Sequence, residues 1–84
     1  MLGWCTLAAR GAVVDLVAEA RRCGGVFAAI VTALRRARVG DRIRFVYEGG
    51  QEGEVRLTLE RLSELGMVEI VSLGGGEAVV TKRG

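Results

Sequence analysis

The densest group of chemically active side chains is a set of five arginines within ten residues: Arg35, Arg36, Arg38, Arg42 and Arg44. Guanidinium groups bind phosphate through paired hydrogen bonds, so a cluster of this kind is typical of a surface for a phosphate-bearing partner. The alternative is a solvated surface whose arginines pair with the nearby Glu48, Glu52 and Glu54. The sequence leaves these two interpretations about equal.

Charge is divided unevenly along the chain, although the net charge is only +2. Residues 1–47 hold eight arginines against three acids, which gives +5, whereas residues 48–84 sum to −3. The first part therefore favours contact with phosphate, and the second part, taken as a whole, does not.

No arrangement typical of catalysis or of metal binding occurs in the sequence. Histidine is absent, and Cys5 and Cys23 are the only cysteines. We therefore expect no zinc site, no other metal or cofactor, and no nucleophile–base pair acting on a small-molecule substrate. The glycine-rich stretches 49–53 and 74–76 lack the Lys-Ser/Thr of a phosphate-binding loop. The sequence predicts a protein that is not an enzyme.

The cysteines and the hydropathy pattern bear on the location of the protein. On one continuous helix Cys5 and Cys23 would lie about 27 Å apart, too far for a disulfide, so we expect two reduced packing residues. The longest uncharged run, residues 23–34, is too short to span a bilayer. The N-terminus also lacks the positive region of a signal peptide. A cytoplasmic protein without membrane contact is the prediction.

The N-terminal part of this single 84-residue domain has the apolar spacing of a helix over residues 3–23. Its apolar residues cover most of the helix circumference, so cover is expected on more than one side. We therefore predict that residues 1–25 form a dimerisation element of a homodimer. Its interface residues would be Trp4, Leu7, Val14 and Val17.

The remaining residues, 26–84, predict an α+β arrangement that is mainly α. Helical spacing indicates a second helix over 26–38 and a third over about 54–65, where Val55, Leu59 and Leu62 share one face. Two strands, 67–73 and 77–82, follow the third helix and are joined across glycines 74–76 as a hairpin.

Residues 41–48 allow two interpretations. Ile43, Phe45 and Tyr47 alternate with other residues in the pattern of a strand. A short helix is the alternative, because Asp41 is a good N-cap and a helix would turn Phe45 and Val46 inward.

The stretch VRLTLERLSELGMVEIV, residues 55–71, resembles the third helix and its exit in the winged helix-turn-helix family, and GGGEAVVTKRG, residues 74–84, resembles the wing of that family. The resemblance covers about residues 26–84. It implies a first helix at 26–38, a second element at 41–48, a recognition helix at 54–65 and a wing at 67–82. With the extra N-terminal helix, the expected fold has three to four helices and a C-terminal β-hairpin wing.

The resemblance implies a small protein that binds double-stranded DNA and regulates transcription as a homodimer. Together with the basic residues, it predicts DNA contacts from eight side chains: Arg38, Arg42, Arg44, Gln51, Arg56, Arg61, Lys82 and Arg83. The outward face of the third helix departs from the family, because it carries Glu60 and Glu64 beside Leu57. This departure supports the alternative of a winged-helix protein-interaction module that does not bind DNA.

A second resemblance involves VGDRIRFVYEGG and ELGMVEIVSLGGG, residues 39–50 and 64–76, which look like pieces of the small SH3-like barrels associated with ferrous-iron transport. It implies a strand at 41–47 and a domain that is mostly β. The chain lacks the further strand that such a barrel needs after residue 82.

Overall fold

Three α-helices pack on one face of a four-stranded sheet within residues 13–84, the part of the chain that the computed structural model describes. The elements follow one another in this order: β1 (Val13–Asp15), α1 (Leu16–Cys23), α2 (Val26–Arg36), β2 (Arg42–Val46), a single 3-10 turn (Gly49–Gln51), α3 (Glu52–Glu64), β3 (Val68–Gly74) and β4 (Glu77–Lys82). The predicted α+β class is confirmed. Three helices and the C-terminal hairpin are present within residues 13–84, and helices hold more of these residues than strands do, but the hairpin belongs to a larger sheet of four strands.

The prediction of one continuous helix over 3–23 is wrong at residues 13–15, which form β1. β1 pairs in parallel with β2, and Val14 lies opposite Phe45. Asp15 then starts α1, because its side chain accepts a hydrogen bond from the backbone N–H of Val17 at 3.0 Å. The part of the predicted helix before residue 13 lies outside the described residues.

Helix α1 ends where the sequence predicts, at Gly24, which adopts a left-handed conformation with φ of 87°. Cys23, the last residue of α1, takes part in a disulfide. The expectation of two reduced cysteines is therefore wrong, and one argument for a reducing compartment is lost. Cys5, the only other cysteine of the chain, lies outside the described residues.

Residues 42–46 form β2, so the strand interpretation is confirmed and the helix is excluded. The strand lies between β1 and β4 in the sheet order β1-β2-β4-β3. Ile43, Phe45 and Tyr47 point into the core, while the residues between them are exposed. An alternation of period two fits a strand with one buried face and cannot be matched by a helix.

β3 and β4 form the predicted antiparallel hairpin, with a bulge between Ile70 and Ser72. Gly76, in its turn, has φ of +82°, and a Cβ at this position would lie 3.2 Å from the backbone oxygen of Tyr47. Within residues 13–84 the sheet does not close into a barrel, and β1 and β3 are its outer strands. The barrel resemblance was right about a strand at 41–47 and wrong about a mostly β domain.

The core lies between the sheet and the helices. Helix α3 contributes Val55, Leu59 and Leu62, as its apolar spacing predicted, and α2 contributes Ala29, Ile30, Ala33 and Leu34. No helix within residues 13–84 is long and apolar enough to cross a membrane.

Candidate functional site

One end of the molecule carries four of the six arginines that make no ion pair within residues 13–84, and the other two are Arg21 and Arg61. The loop that follows α2 is bound to the end of β4, since the Gly40 amide donates to the Lys82 carbonyl at 2.8 Å and the Lys82 amide donates to the Asp41 carbonyl at 2.9 Å. Five cationic residues lie on the segments that this contact joins and are here called the basic end: Arg35, Arg36, Arg38, Arg42 and Lys82. Arg35 and Lys82 line one groove, whereas Arg42 lines another, with Arg44, on the outer face of the sheet.

The four arginines of the basic end are exposed and make no ion pair with any residue of 13–84. The acid nearest in sequence, Asp41, is occupied, because its carboxylate accepts the backbone N–H of Arg38 at 3.0 Å. Lys82 is held in place by the Ala37 carbonyl, to which its Nζ donates at 2.8 Å. Carbonyls at the C-terminus of a helix attract cations, so positive side chains at the end of α2 also stabilise this helix, whether or not they bind a partner.

The N-terminus of α3 and the hairpin turn form the opposite, acidic end. The Tyr47 amide donates to the Gly76 carbonyl at 3.0 Å, which holds the turn beside the end of β2. Four glutamates lie here: Glu48, Glu52, Glu54 and Glu77. Helix α3 has 13 residues, so its acidic start is about 20 Å from its other end, which lies beside Lys82.

Two of the predicted DNA-contacting arginines are neutralised at the acidic end. Arg44 lies 3.3 Å from the carboxylate of Glu77, and Arg56 lies 3.3 Å from that of Glu52. Arg83 is paired as well, at 2.7 Å from Glu69 across the β3–β4 hairpin. These three side chains are less available to phosphate than the arginines of the basic end.

Gln51, also predicted to contact DNA, is used by the fold itself. Its Nε2 donates to the Leu16 carbonyl at 3.2 Å, and its Oε1 accepts the Glu48 amide at 3.2 Å. The side chain therefore fastens the start of α3 to the start of α1, which sequence spacing did not indicate.

The structure thus divides the eight predicted contacts. Arg38, Arg42 and Lys82 belong to the segments of the basic end, and Arg61 is exposed on α3 without an ion pair among residues 13–84. Arg35 and Arg36 belong to the same surface although they were not among the eight. Their position in the last turn of α2, directly before the loop, was the signal that could have added them.

The outward face of α3 has the composition expected from the sequence. Leu57 is 60% exposed, and Glu60 and Glu64 are exposed with it. An exposed leucine among carboxylates is poorly suited to a phosphate surface and is better suited to contact with a protein.

The predicted dimer interface falls partly on described residues. Val14 is only 3% exposed and packs in the core of the chain itself, and Val17 is half-buried. Trp4 and Leu7 lie outside the described residues. The homodimer stays a prediction. Val14 is a core residue of the single chain, so it has little surface left for a dimer contact.

Tyr47 is 4% exposed, and its buried hydroxyl makes no hydrogen bond of good geometry within residues 13–84, although the backbone of Gly74 is close to it. Burial, and then the negative charge of Glu52, raise the pKa of the Tyr47 phenol, while the charge of Arg56 and the backbone of Gly74 oppose the shift. The neutral phenol is therefore the form that the folded chain accommodates.

Replacing Tyr47 with phenylalanine is expected to raise the free energy of unfolding by up to about 1 kcal/mol near neutral pH, because a buried hydroxyl without a partner is removed. The pKa of this phenol is raised on folding. Its contribution to the free energy of unfolding is therefore fully present below the unfolded pKa of about 10 and is lost as the pH rises through the folded pKa. The advantage of Tyr47→Phe should therefore grow above about pH 10. Urea unfolding of the original chain and of Tyr47→Phe, near neutral pH and above about pH 10, measures the difference in their free energies of unfolding. A clearly less stable variant near neutral pH would contradict the prediction.

Among residues 13–84, no group of three or more potential ligands could hold a metal ion. Comparisons of the chain with protein-family models, with curated proteins and with solved structures find no match. The case for a function therefore rests on the geometry and charge described above.

Proposed function

We propose that the chain is a small winged-helix protein that binds double-stranded DNA through phosphate contacts from its basic end. The observation that carries the proposal is the set of four exposed arginines, without ion pairs inside residues 13–84, on the chain segments whose backbones meet at Lys82. Cationic side chains that neutralise phosphates supply most of the affinity of non-specific DNA binding.

The order of elements supports the winged-helix part of this proposal. α2, β2, α3 and the β3–β4 hairpin follow one another as the resemblance implies, and β4 lies between β2 and β3 in the sheet. One difference is that a single 3-10 turn, Gly49–Gln51, stands before α3 where a helix-turn-helix has an α-helix.

The charges favour a particular way of docking. A recognition helix presents its N-terminal residues to base edges, and in this chain Glu52 and Glu54 occupy that place beside Glu48. Their carboxylates would meet phosphate charge at the groove. We therefore propose that the basic end grips the backbone and that base readout by α3 is minor.

A role in transcription, a cytoplasmic location and a homodimer belong to the same proposal. A second copy would present a second basic end to the same duplex. Two linked contacts would raise the affinity without adding any new kind of contact.

The proposal is tested by fluorescence anisotropy with labelled random duplex DNA at about 50 and 200 mM salt. Four to five phosphate contacts predict micromolar binding at low salt that weakens by roughly 150- to 500-fold at the higher salt. No binding at low salt by the folded chain would refute the proposal.

The second candidate function is a protein-interaction module, favoured by Leu57 on the acidic face of α3. A partner with a basic and apolar surface would suit this face. In that case DNA binding would be absent, and Leu57→Glu would abolish the interaction while leaving the fold intact.

A further inference from the structure

The loop after α2 presents one apolar side chain between two arginines. The Asp41 amide donates to the Arg38 carbonyl at 2.9 Å, and the Asp41 carboxylate accepts the Arg38 amide at 3.0 Å, which closes a tight turn. Val39 lies in the middle of this turn and is 66% exposed. Arg38 begins the turn and Arg42 follows it; both are exposed, and neither makes an ion pair within residues 13–84. Residues 38–42 are here called the basic turn.

The backbone of the basic turn is fixed before any partner binds. The Gly40 amide donates to the Lys82 carbonyl at 2.8 Å, and the Lys82 amide donates to the Asp41 carbonyl at 2.9 Å. A fixed backbone lowers the entropic cost of forming a contact. A phosphate surface gains nothing from an exposed valine, because contacts to phosphate are charged and hydrogen-bonded. An acidic surface with an apolar centre matches the basic turn better.

The outward side of α3 is a surface of this kind. Leu57 is 60% exposed, and Glu54 and Glu60, three residues before and after it, are its neighbours on the helix surface. Glu64 lies one turn beyond Glu60. None of these three glutamates makes an ion pair within residues 13–84. They form the acidic face of α3 with Leu57, and the exposed Arg61 at its border leaves this face with three acids against one cation.

We propose that the basic turn of one copy of the chain docks on the acidic face of α3 of a second copy. Val39 would pack against Leu57, which removes both apolar side chains from water. Arg38 and Arg42 would then lie beside the glutamates around Leu57. Opposite charges guide the encounter, and the apolar pair adds the affinity that exposed ion pairs alone do not supply. A second copy carries both halves of this complementarity.

The contact joins two different surfaces and so differs from a two-fold homodimer, in which both copies use the same surface. Each added copy leaves one basic turn and one acidic face free at the ends of the assembly, so association continues into open chains. Each surface is small, so we expect weak association that becomes visible only at high protein concentration. The proposal stands apart from DNA binding, although a duplex bound at Arg38 and Arg42 would compete with it.

Sedimentation equilibrium of the whole chain without DNA, at about 20 and 500 mM salt, tests the proposal. At low salt the average mass is expected to rise with protein concentration past that of a dimer. At high salt the average mass should fall, because screening weakens the charged contacts.

Three substitutions to glutamine, none of which changes the charge, locate the contact. Val39→Gln and Leu57→Gln should each weaken the association about tenfold, since each removes one side of the apolar pair. Phe27→Gln is the matched control, because Phe27 is 56% exposed but lies in the first turn of α2, outside both surfaces. It should leave the association unchanged. Circular dichroism of each variant checks that the fold is retained.

Arg61→Gln distinguishes this contact from a DNA contact made by α3. Removing the cation beside Leu57 should strengthen self-association by about twofold, because the acidic face becomes more negative. A phosphate contact from Arg61 would instead make the same variant bind DNA more weakly. Weaker self-association of Arg61→Gln would overturn the assignment of the acidic face.

A mixture of two variants gives the sharpest result. Val39→Gln keeps its acidic face and Leu57→Gln keeps its basic turn, so one intact contact can form between them. An equal mixture is expected to form pairs with one copy of each variant, about tenfold more tightly than either variant associates alone, and no longer chains. The proposal is overturned, whatever the outcome with DNA, if the original chain stays monomeric or stops at a dimer at low salt. A mixture that associates no more tightly than its components, or a Phe27→Gln loss equal to that of Val39→Gln, also overturns it.

Discussion

Replacing both Arg36 and Arg42 with glutamine is expected to weaken binding to random duplex DNA by about tenfold or more at low salt. It should also lower the slope of log affinity against log salt by about two, since each lost phosphate contact removes about one released counterion. The two side chains lie on α2 and β2, at either end of the loop that Lys82 holds. Neither makes an ion pair within residues 13–84, so their loss leaves no carboxylate unpaired.

Arg21→Gln combined with Arg22→Gln is the matched control. These exposed arginines end α1, next to the start of α2 and therefore at the other end of α2 from its basic C-terminal turn. Arg22 lies 3.5 Å from the carboxylate of Glu19 on the same helix, so the control also removes this one exposed ion pair, and circular dichroism of the variant checks for an effect on the fold. The total charge changes by the same amount, so an effect of net charge alone would be equal in both double variants. Equal loss of affinity would contradict a local contact at the basic end. If the variant with both Arg36 and Arg42 replaced binds duplex DNA with unchanged affinity, the basic end does not contact DNA.

A second comparison separates the basic end from α3. Arg56 is paired with Glu52 on the helix and stands where a recognition helix would contact bases. Arg56→Gln is expected to change DNA affinity less than either arginine of the basic end. A larger loss would show that α3 enters the groove despite its carboxylates.

Local patterns allowed the prediction of several elements from the sequence. α3 is recognisable because Val55, Leu59 and Leu62 repeat at helical spacing, and the hairpin is recognisable because two β-prone runs flank three glycines. Strand β1 was not recognised, because three residues carry little local signal. It forms by pairing with β2, about thirty residues further along the chain, and such a contact is not encoded in nearby spacing.

In the candidate site, too, some features follow from local spacing in the sequence and others depend on tertiary structure. The arginine cluster is visible in the sequence, and the Arg56–Glu52 pair follows from helical spacing of four residues. The pairs Arg44–Glu77 and Arg83–Glu69 join residues that are distant in sequence and meet only through strand pairing. The contrast between available and neutralised arginines therefore depends on tertiary structure.

Replacing Phe45 with alanine is expected to lower the free energy of unfolding by about 3–5 kcal/mol. Phe45 is fully buried, and its strand neighbours are Val14 on β1 and Ala78 on β4. Removing the ring would leave a cavity at the centre of the sheet. A domain of 84 residues has a total stability of roughly 5–10 kcal/mol, so the variant should be largely destabilised. Urea unfolding followed by far-ultraviolet circular dichroism measures the difference.

Val46→Ala is the control for this prediction, because Val46 is 36% exposed and lies on the opposite face of the same strand. Its cost should be at most about 1 kcal/mol. The pair of variants also distinguishes the two interpretations of residues 41–48, since a helix would turn both side chains inward and make both substitutions costly. Similar large losses would contradict β2 itself. A large loss confined to Phe45 would instead show that the strand is correctly assigned, and with it the placement of Arg42 opposite Thr81 near the end of β4.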